Sequence, residues 1–390
     1  MVDIASIAKL GEARKYNIDE TIVYAGDSGH EMFIILKGKV GVLINSIDGF
    51  PIKVAELGPG DFFGEMSLLE GMPRSATVEA LEDCIVLVIN ENNFEKIIAQ
   101  QPSLAYRIMK GMSSRIRKQN EEISKLKQGE AGESQASEVS SSVKILDDSI
   151  FPPNHKTYPL TASPDDEGFL FDREVTCPVC TQTFKVKSVR SSKLRLDKVD
   201  NDMRQRFIGI EPLWYLVWVC PHCYYSNFHF EFKQVSDSIA RKFLDQSKEL
   251  KNKVKLQFSN PRKIDEVFAS YYLMLQYLRI STQDPSAQAK VWLRLSWLYS
   301  DVQDEEMYIY ASQQAYEMFK SAYYNSRRST TVEQEQRLSL LLGELSLRLG
   351  NNEEALKFFR GALVRKGDGN NTINRQAEDK IAQLREASKA

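Results

Sequence analysis

The segment that most constrains this chain is residues 62–78, which read FFGEMSLLEGMPRSATV. Gly64 lets the main chain approach a ligand closely, because it carries no Cβ. A short helix begins at Glu65, and its free N–H groups and positive dipole end attract an anion. Pro73 ends that helix, so the guanidinium of Arg74 can return over the same anion and bind it with two hydrogen bonds. The segment therefore predicts an anion-binding loop.

Glu65 adds a second requirement to that loop. A carboxylate beside an anion would repel it unless it has another task, and accepting hydrogen bonds from a ribose hydroxyl is such a task. Short alternating strands with turn glycines surround the loop, at residues 26–27, 33–40 and 57–61. These patterns predict a β-roll with the ligand loop near its end. A surface helix beside an unrelated arginine is the alternative.

This arrangement resembles the cyclic nucleotide-binding domain of the catabolite-activator proteins and of the regulatory subunits of cyclic-AMP-dependent kinase. Their cassette reads F-G-E-[LM]-[AS]-L and then P-R-[SA]-A-T-V, and residues 63–78 match it. The resemblance implies that Glu65 binds the ribose 2′-hydroxyl, and that Arg74 and the main chain of Ser75 bind the cyclic phosphate. Gly64 and Glu65 would donate further amide N–H groups. The candidate nucleotide-binding residues are Phe63, Gly64, Glu65, Met66, Ser67, Arg74, Ser75 and Ala76.

The base of the nucleotide is a separate question. We expect cyclic AMP (cAMP) rather than cyclic GMP (cGMP) as the ligand. The hydroxyl of Ser75 could bind either the phosphate or the exocyclic amine of a syn guanine, so cGMP stays open.

Residues 93–126 carry apolar side chains at helical spacing, with an interruption at Pro102. In the resembled domain the second helix covers the base and forms the dimer seam, so we expect a homodimer through residues 103–126. Packing of this helix on its own roll alone is the alternative. Residues 128–142 are small, polar and acidic, which is typical of a flexible linker. The helix-turn-helix that follows in a catabolite-activator protein is not recognisable here.

Four of the five cysteines form two C-x2-C pairs, each after an extended apolar run: Cys177, Cys180, Cys220 and Cys223. In a reducing compartment such pairs predict a metal site, and four thiolates suit tetrahedral Zn²⁺. Thr181 and Tyr224 stand where many zinc ribbons have glycine. A thioredoxin-type dithiol is disfavoured, because proline follows the first cysteine of each pair and a strand follows the pair. We expect a closed, structural zinc.

Residues 185–206 contain eight lysines and arginines: Lys185, Lys187, Arg190, Lys193, Arg195, Lys198, Arg204 and Arg206. A basic patch on a zinc ribbon can bind nucleic acid, although this one lacks aromatic residues for base stacking. Nucleic acid is therefore the less favoured partner.

Beyond Ser236 the apolar pattern is helical. Residues 292–299 fit W-x2-L-[GS]-x2-Y, and residues 342–362 have the spacing of a tetratricopeptide helix pair. Small residues at Gly343, Ala355 and Ala362 would let two helices approach. An ordinary helical bundle is the alternative, and either array offers a surface for a protein partner.

Residues from Tyr158 to the end resemble a bacterial family of unknown function that joins a four-cysteine ribbon to tetratricopeptide-like helices. The motifs that carry the resemblance are CPVC at 177–180, VRSSKLRL at 189–196, GIEPLWY at 209–215 and VWVCPHC at 217–223. This resemblance implies no activity.

At 390 residues the chain is long enough for more than one core. We expect a multidomain α+β protein with an N-terminal β-roll and flanking helices, then a zinc ribbon and an all-α tetratricopeptide-like array. The predicted boundaries are a cyclic nucleotide-binding domain at 1–127, a flexible linker at 128–157, a zinc ribbon at 158–235 and the helical domain at 236–390.

The formal net charge of -2 gives no whole-chain reason to expect nucleic acid or an acidic membrane as partner. The longest apolar run, residues 84–89, is far too short to span a bilayer. The first residues lack the basic-then-apolar pattern of a signal peptide. We therefore expect a cytoplasmic protein without a membrane partner.

These features predict a cyclic nucleotide-responsive regulatory or adaptor protein. It would bind cAMP or cGMP in the N-terminal domain and relay this to a protein partner through the ribbon and helices. A cyclic nucleotide-controlled nucleic-acid-binding regulator that uses the basic ribbon is the alternative. We expect no enzymatic activity, because the sequence shows no nucleophile–base pair and no Gly-rich nucleotide loop.

Overall fold

The structure is a computed structural model, and it describes residues 12–45, 51–71, 73–100, 105–106, 108, 111, 150–233, 235–253, 256–282, 284–325, 332–363 and 370–387. The chain divides into two compact units, Met1–Gln128 and Gly129–Ala390.

Short strands and two helices make up the described part of the N-terminal unit. The strands are β1 (Glu12–Tyr16), β2 (Thr21–Val23), β3 (Glu31–Lys37), β4 (Val40–Asn45), β5 (Pro51–Leu57), β6 (Phe62–Phe63), β7 (Thr77–Ala80) and β8 (Cys84–Asn90). The helices are α1 (Glu65–Glu70) and α2 (Glu91–Gln100). The strands form two antiparallel four-stranded sheets, in the orders β1-β8-β3-β6 and β2-β7-β4-β5. The predicted β-roll with flanking helices is confirmed.

The period of two in β3 explains how this unit builds a core on each face of one sheet. Phe33 and Ile35 lie in the cluster between the two sheets. Met32 and Ile34 point the other way and pack with Leu68 of α1 and with residues of α2. The ligand loop follows β6 and therefore begins at a sheet that has a packed core on each face.

The predicted dimer helix, residues 103–126, lies outside the described residues except at 105, 106, 108 and 111. Ile108 is buried in the same cluster as Met32 and Ile34. The homodimer stays a prediction.

In the described part of the C-terminal unit, three hairpins precede the helices. Their strands are β9 (Leu170–Thr176), β10 (Thr183–Val189), β11 (Leu196–Val199), β12 (Gln205–Phe207), β13 (Val217–Val219) and β14 (Ser226–Phe228), paired as β9–β10, β11–β12 and β13–β14. The first and third hairpins carry one C-x2-C pair each at the turn between their strands.

Helices occupy the rest of this unit: α3 (Asp237–Lys253), α4 (Ile264–Ser281), α5 (Pro285–Asp301), α6 (Glu305–Asn325), α7 (Val332–Arg348), α8 (Asn352–Leu363) and α9 (Asn371–Ala387). Consecutive helices pack against each other. A Cβ at Gly343 would overlap the ring of Phe359, so this glycine lets α7 and α8 approach as the sequence indicated. The helical region with a four-cysteine cluster is confirmed, and the tetratricopeptide assignment stays a prediction.

The hairpins and the helices share buried side chains. The ring of Tyr225 lies 4.8 Å from Tyr277 of α4 and 6.1 Å from Phe243 of α3, centroid to centroid. The guanidinium of Arg294 in α5 lies 4.5 Å from the centre of the Phe228 ring. Ribbon and helices, which the sequence analysis separates at residue 235, therefore pack together within this unit. Among the described residues, no helix combines the length and the apolar character needed to cross a membrane.

Candidate ligand pocket and metal centre

The ligand loop starts at the end of β6, where the chain turns into α1. Gly64 occupies the N-cap position with φ of 79°, a left-handed conformation that favours glycine. The helix ends at Gly71, whose φ is 65°, and not at Pro73 as the sequence indicated. A left-handed glycine is the commonest helix stop, and here it acts before the proline is reached.

Arg74 lies folded back over the start of this helix. Its side chain is only 6% exposed. Nη1 donates a hydrogen bond to the carbonyl oxygen of Gly64 at 3.2 Å and another to the carbonyl oxygen of Glu31. The guanidinium also lies 5.5 Å from the centre of the Phe33 ring. The cation is thus positioned by main-chain oxygens and by one aromatic face.

The main chain of Arg74 is fixed as well. Its N–H donates to the carbonyl of Asp27 at 2.9 Å, and its carbonyl accepts from the N–H of Gly26 at 2.8 Å. Burial lowers the pKa of Arg74, while the negative charges of Glu31 and Asp27 act in the opposite direction. A guanidinium stays charged even so, and an anionic ligand would supply the charge partner that carbonyl oxygens do not.

The other residues of the segment divide into buried and exposed positions. Glu65 is 5% exposed, and Ser67 is also buried. Met66 is 43% exposed and Ser75 is exposed. The Ser75 hydroxyl lies 3.6 Å from the sulfur of Met66, so the two ends of the segment meet at the surface.

Phe63 and Ala76 lie at the two edges of the loop. Phe63 is buried between the sheets and stacks on Phe33, with 5.0 Å between ring centroids. Ala76 is half-buried and precedes β7. Phe63 therefore supports the loop from the interior.

Gly29 is a site residue that the sequence analysis missed. A Cβ at this position would lie 2.5 Å from Nε of Arg74, and a Cβ at Gly64 would lie 2.6 Å from Nη1. The guanidinium thus occupies space that two glycines leave open. The sequence signal is a glycine in a short polar stretch before the predicted strand at 33–40, which without the fold indicates only a turn.

The four cysteines of the C-x2-C pairs come together, although forty residues separate the pairs along the chain. Their four Sγ atoms lie within 4.8 Å of one another. The Sγ atoms of Cys177 and Cys223 are 3.7 Å apart, and those of Cys180 and Cys220 are 3.5 Å apart. Tetrahedral zinc with Zn–S bonds of about 2.3 Å requires sulfur separations of about 3.8 Å. The donor set and its spacing therefore fit a tetrahedral metal ion.

Electrostatics favour a cation at this cluster. A hydrogen bond with the thiol of Cys177 lowers the pKa of Cys220, and a hydrogen bond with Cys223 contributes less in the same direction. Hydrogen bonding with Cys177, and to a smaller extent with Cys220, raises the pKa of Cys223. One thiolate therefore suppresses ionisation of its neighbours, and four thiolates together require a bound cation to balance them.

Both cysteine turns bend through a left-handed residue that is not glycine. Thr181 has φ of 62° and Tyr224 has φ of 59°. In each turn the N–H of that residue donates to the carbonyl of the first cysteine, at 3.0 Å for Cys177 and 2.8 Å for Cys220. The missing glycines thus leave the turn geometry intact, at the cost of local backbone strain.

The basic segment, residues 185–206, is partly neutralised by acids. Arg204 is 2% exposed, and its guanidinium donates to both carboxylate oxygens of Asp301, at 2.8 and 2.6 Å. Arg206 and Lys187 also donate to carboxylates, at 2.8 and 2.6 Å. The segment offers fewer cations to a nucleic acid than its sequence suggests.

Two family models match the chain. Residues 13–101 match the model described as the cyclic nucleotide-binding domain. Residues 170–387, more than half of the chain, match the model described as an uncharacterized protein conserved in bacteria (DUF2225).

Several curated relatives match the N-terminal region. The cAMP-activated global transcriptional regulator Vfr of Pseudomonas aeruginosa is 36% identical over 117 residues, which is 29% of this chain and 55% of that protein. The cyclic AMP receptor protein of Thermus thermophilus is 32% identical over 120 residues, which is 31% of this chain and 56% of that protein. A crystal structure of the Thermus thermophilus catabolite activator protein is 30% identical and covers 32% of this chain and 58% of that one, with a TM-score of 0.29.

The chain spans about half the length of the curated relatives it matches. The match to the cyclic nucleotide-binding domain ends at residue 101, and the DUF2225 match begins at residue 170. The chain belongs to the bacterial DUF2225 family, and it carries a cyclic nucleotide-binding domain ahead of the DUF2225 region.

Proposed function

We propose that this chain is a cyclic nucleotide-responsive regulator whose N-terminal unit binds the ligand and whose C-terminal unit acts on a protein partner. The observation that carries the proposal is the buried Arg74, held over the N-terminus of α1 beside the buried Glu65. A cation and a carboxylate on one short loop suit a ligand that has both an anion and neighbouring hydroxyl groups.

In this proposal the cyclic phosphate binds the Arg74 guanidinium and the main-chain N–H groups of Gly64, Glu65 and Ser75. The ribose 2′-hydroxyl donates to the Glu65 carboxylate. Two charge-assisted hydrogen bonds to phosphate contribute about 3 to 6 kcal/mol. The names of the relatives favour cAMP over cGMP.

We propose Zn²⁺ for the four-cysteine cluster, with Cys177, Cys180, Cys220 and Cys223 as its ligands. Zinc would hold the β9–β10 and β13–β14 hairpins together. Since four thiolates close the coordination sphere, the ion supplies folding energy and offers no position for substrate. This supports a non-enzymatic role, and a site of four thiolates suits a reducing compartment such as the cytoplasm.

The relay requires that the nucleotide bind two states of the protein with different affinity. A hundredfold preference, about 2.7 kcal/mol, moves a balanced equilibrium almost completely. We propose that the helices α3 to α9 present the surface for the partner. A homodimer through residues 103–126 belongs to the same proposal.

Titration calorimetry of the full chain with cAMP and with cGMP tests the ligand. Arg74→Ala should weaken binding at least about a hundredfold, since it removes both charged hydrogen bonds. Glu65→Gln should weaken it about tenfold, because the amide is a poorer acceptor. Arg337→Ala is the matched control, because Arg337 pairs with Glu333 on the surface of α7. Equal affinity of wild type and Arg74→Ala would refute the proposal.

The nucleic-acid alternative has its own test. Retention on random DNA or RNA should fall steeply with salt if the basic segment binds phosphates. Neutralising Arg190, Lys193 and Arg195 together would then abolish retention. With Arg204 buried and paired, we expect weak retention that these substitutions do not change.

A further inference from the structure

A segment of the C-terminal unit lies on the helices with little regular structure of its own. This segment, residues 150–162, is called the strap. Its main-chain hydrogen bonds with the helical region lie near one end: the N–H of Ala162 donates to the carbonyl of Arg262 at 2.8 Å, and the N–H of Ile264 donates to the carbonyl of Leu160 at 3.0 Å. Residues 150–157, which the sequence analysis assigns to the linker, belong to this docked segment.

His155 is the centre of the strap. Its ring stacks on Phe151 at 4.2 Å and lies 5.1 Å from Phe268 of α4, centroid to centroid. Its Nδ1 lies 2.7 Å from the hydroxyl of Tyr299 in α5. That hydroxyl is also 2.7 Å from the hydroxyl of Tyr272 in α4. One side chain of the strap therefore joins two helices.

Polar side chains hold the strap on either side of His155. The hydroxyl of Tyr158 and the ammonium of Lys156 both donate to Oδ2 of Asp304, at 2.9 and 3.1 Å. The other oxygen of Asp304 accepts from the N–H of Met307 at 3.1 Å and so caps the first turn of α6. One carboxylate thus holds both the strap and the start of a helix.

The main chain of Tyr158 is also bound by a side chain. Its N–H donates to Oδ1 of Asp265 in the first turn of α4, at 2.9 Å. Between residues 150 and 158 the strap is therefore attached through side-chain groups, and no ladder of main-chain hydrogen bonds would break if it left. Segments attached in this way open at lower free energy than the helices beneath them.

The sequence of the strap limits the entropy it loses on docking. Pro152, Pro153 and Pro159 restrict φ in the released segment as well as in the docked one. The strap also follows directly on the stretch that joins it to the N-terminal unit.

We propose that residues 150–158 of the strap are a releasable latch, which leaves the helices as one segment and whose release cyclic nucleotide binding controls. The control of this release by cyclic nucleotide rests on the proposed function. Release would expose the aromatic side chains Phe268, Tyr272 and Tyr299 and remove two of the contacts to Asp304.

Hydrogen exchange of the full chain, read by mass spectrometry, tests the latch. The amide of Tyr158 is the reporter, because it is bonded only to a side chain. We expect the strap amides to exchange at least about tenfold faster than those of α5. Tyr158→Phe removes one hydrogen bond to a carboxylate and should speed strap exchange about tenfold more. Tyr324→Phe on α6, at a residue that is 54% exposed, should leave strap exchange unchanged.

If the strap amides exchange at the same rate as those of α5, or if Tyr158→Phe has no effect on strap exchange, the latch is overturned. The control by cyclic nucleotide is tested with saturating cAMP. It is added to a preparation in which calorimetry has already measured the binding of cAMP. Strap exchange should then change about fivefold or more. Unchanged exchange in a protein that binds cAMP overturns the nucleotide control. A protein that binds no cyclic nucleotide contradicts the proposed function and this control, while Tyr158→Phe still decides whether the strap opens alone.

Discussion

Nη1 of Arg74 donates a hydrogen bond to the carbonyl oxygen of Gly64 at 3.2 Å, so the first residue of the ligand loop positions the arginine near its end. The guanidinium can take this position because Gly64 and Gly29 have no side chains. The proposed pocket is therefore defined by two missing methyl groups as much as by its charged residues.

The first prediction follows from that geometry. Gly29→Ala places a Cβ 2.5 Å from Nε of Arg74, so the guanidinium must move away from its carbonyl partners. We expect the affinity for cAMP to fall at least about tenfold, which is the loss of one well-placed charged hydrogen bond. Titration calorimetry measures this change.

Gly58→Ala is the control for that substitution. A Cβ at Gly58 would have no neighbour within 4 Å, and this glycine lies outside the ligand loop. Its affinity for cAMP should equal that of the wild type. If Gly29→Ala also binds like wild type, the position of Arg74 described here does not matter for the ligand.

The second prediction concerns the metal. Purified protein should contain about one zinc per chain, and Cys180→Ser should lose most of it, because a serine hydroxyl is a poor zinc ligand. A chromophoric chelator measures the zinc. Cys84→Ser removes a buried thiol in the N-terminal unit and should leave the zinc content unchanged. Full zinc content in Cys180→Ser would argue against a four-thiolate site.

The third prediction tests the strain at the first cysteine turn. A β-branched residue in the left-handed region costs about 1–2 kcal/mol, whereas the greater freedom of glycine in the unfolded chain costs about 0.5–1 kcal/mol. Thr181→Gly should therefore keep or raise the free energy of unfolding, by up to about 1 kcal/mol. Thr183→Gly, in strand β10, should lower it by about 0.5–1 kcal/mol.

Urea unfolding with excess zinc, followed by tryptophan fluorescence, compares these two variants. All four tryptophans lie in the C-terminal unit, so the signal reports on that unit. An equal loss of stability in both variants would show that the turn at Thr181 is not strained.

The fourth prediction is a pH dependence at His155. Burial lowers the pKa of His155 to about 4, from the usual 6.5, while the charge of Asp304 acts in the opposite direction. The unfolded chain therefore takes up the proton first on acidification. This contribution to stability is complete above about pH 6.5 and is lost progressively as the pH falls towards 4.

The other ionisable groups around His155 are Lys156 and Tyr158 of the strap, Tyr272 of α4 and Tyr299 of α5. Urea unfolding at pH 7.5 and 5.5 gives the free energy of unfolding at each pH. Its decrease from pH 7.5 to 5.5 should be smaller for His155→Phe than for wild type. Protonation of the zinc ligands affects both proteins alike, so the difference isolates His155. If His155→Phe loses as much stability between pH 7.5 and 5.5 as the wild type does, the assignment is contradicted.

The N-terminal fold followed from the sequence because its signals are local. Alternating residues such as Phe33 and Ile35 determine which face of a strand is buried, and Gly64 determines where the chain can turn. Even so, the sequence predicts that α1 stops at Pro73, whereas the helix stops at Gly71. Both residues end helices, and the sequence alone does not show which one acts first.

The sequence by itself determined the chemistry available: an acid and an arginine on one loop, and four thiols in two turns. The tertiary structure decided how these groups and the remaining cations are used. Arg204 counts as a surface charge in the sequence, but it is buried against Asp301, which is 97 residues away. The strap reads as linker, yet His155 joins two helices. Local motifs depend on neighbours along the chain, whereas burial and pairing depend on contacts that only the complete fold creates.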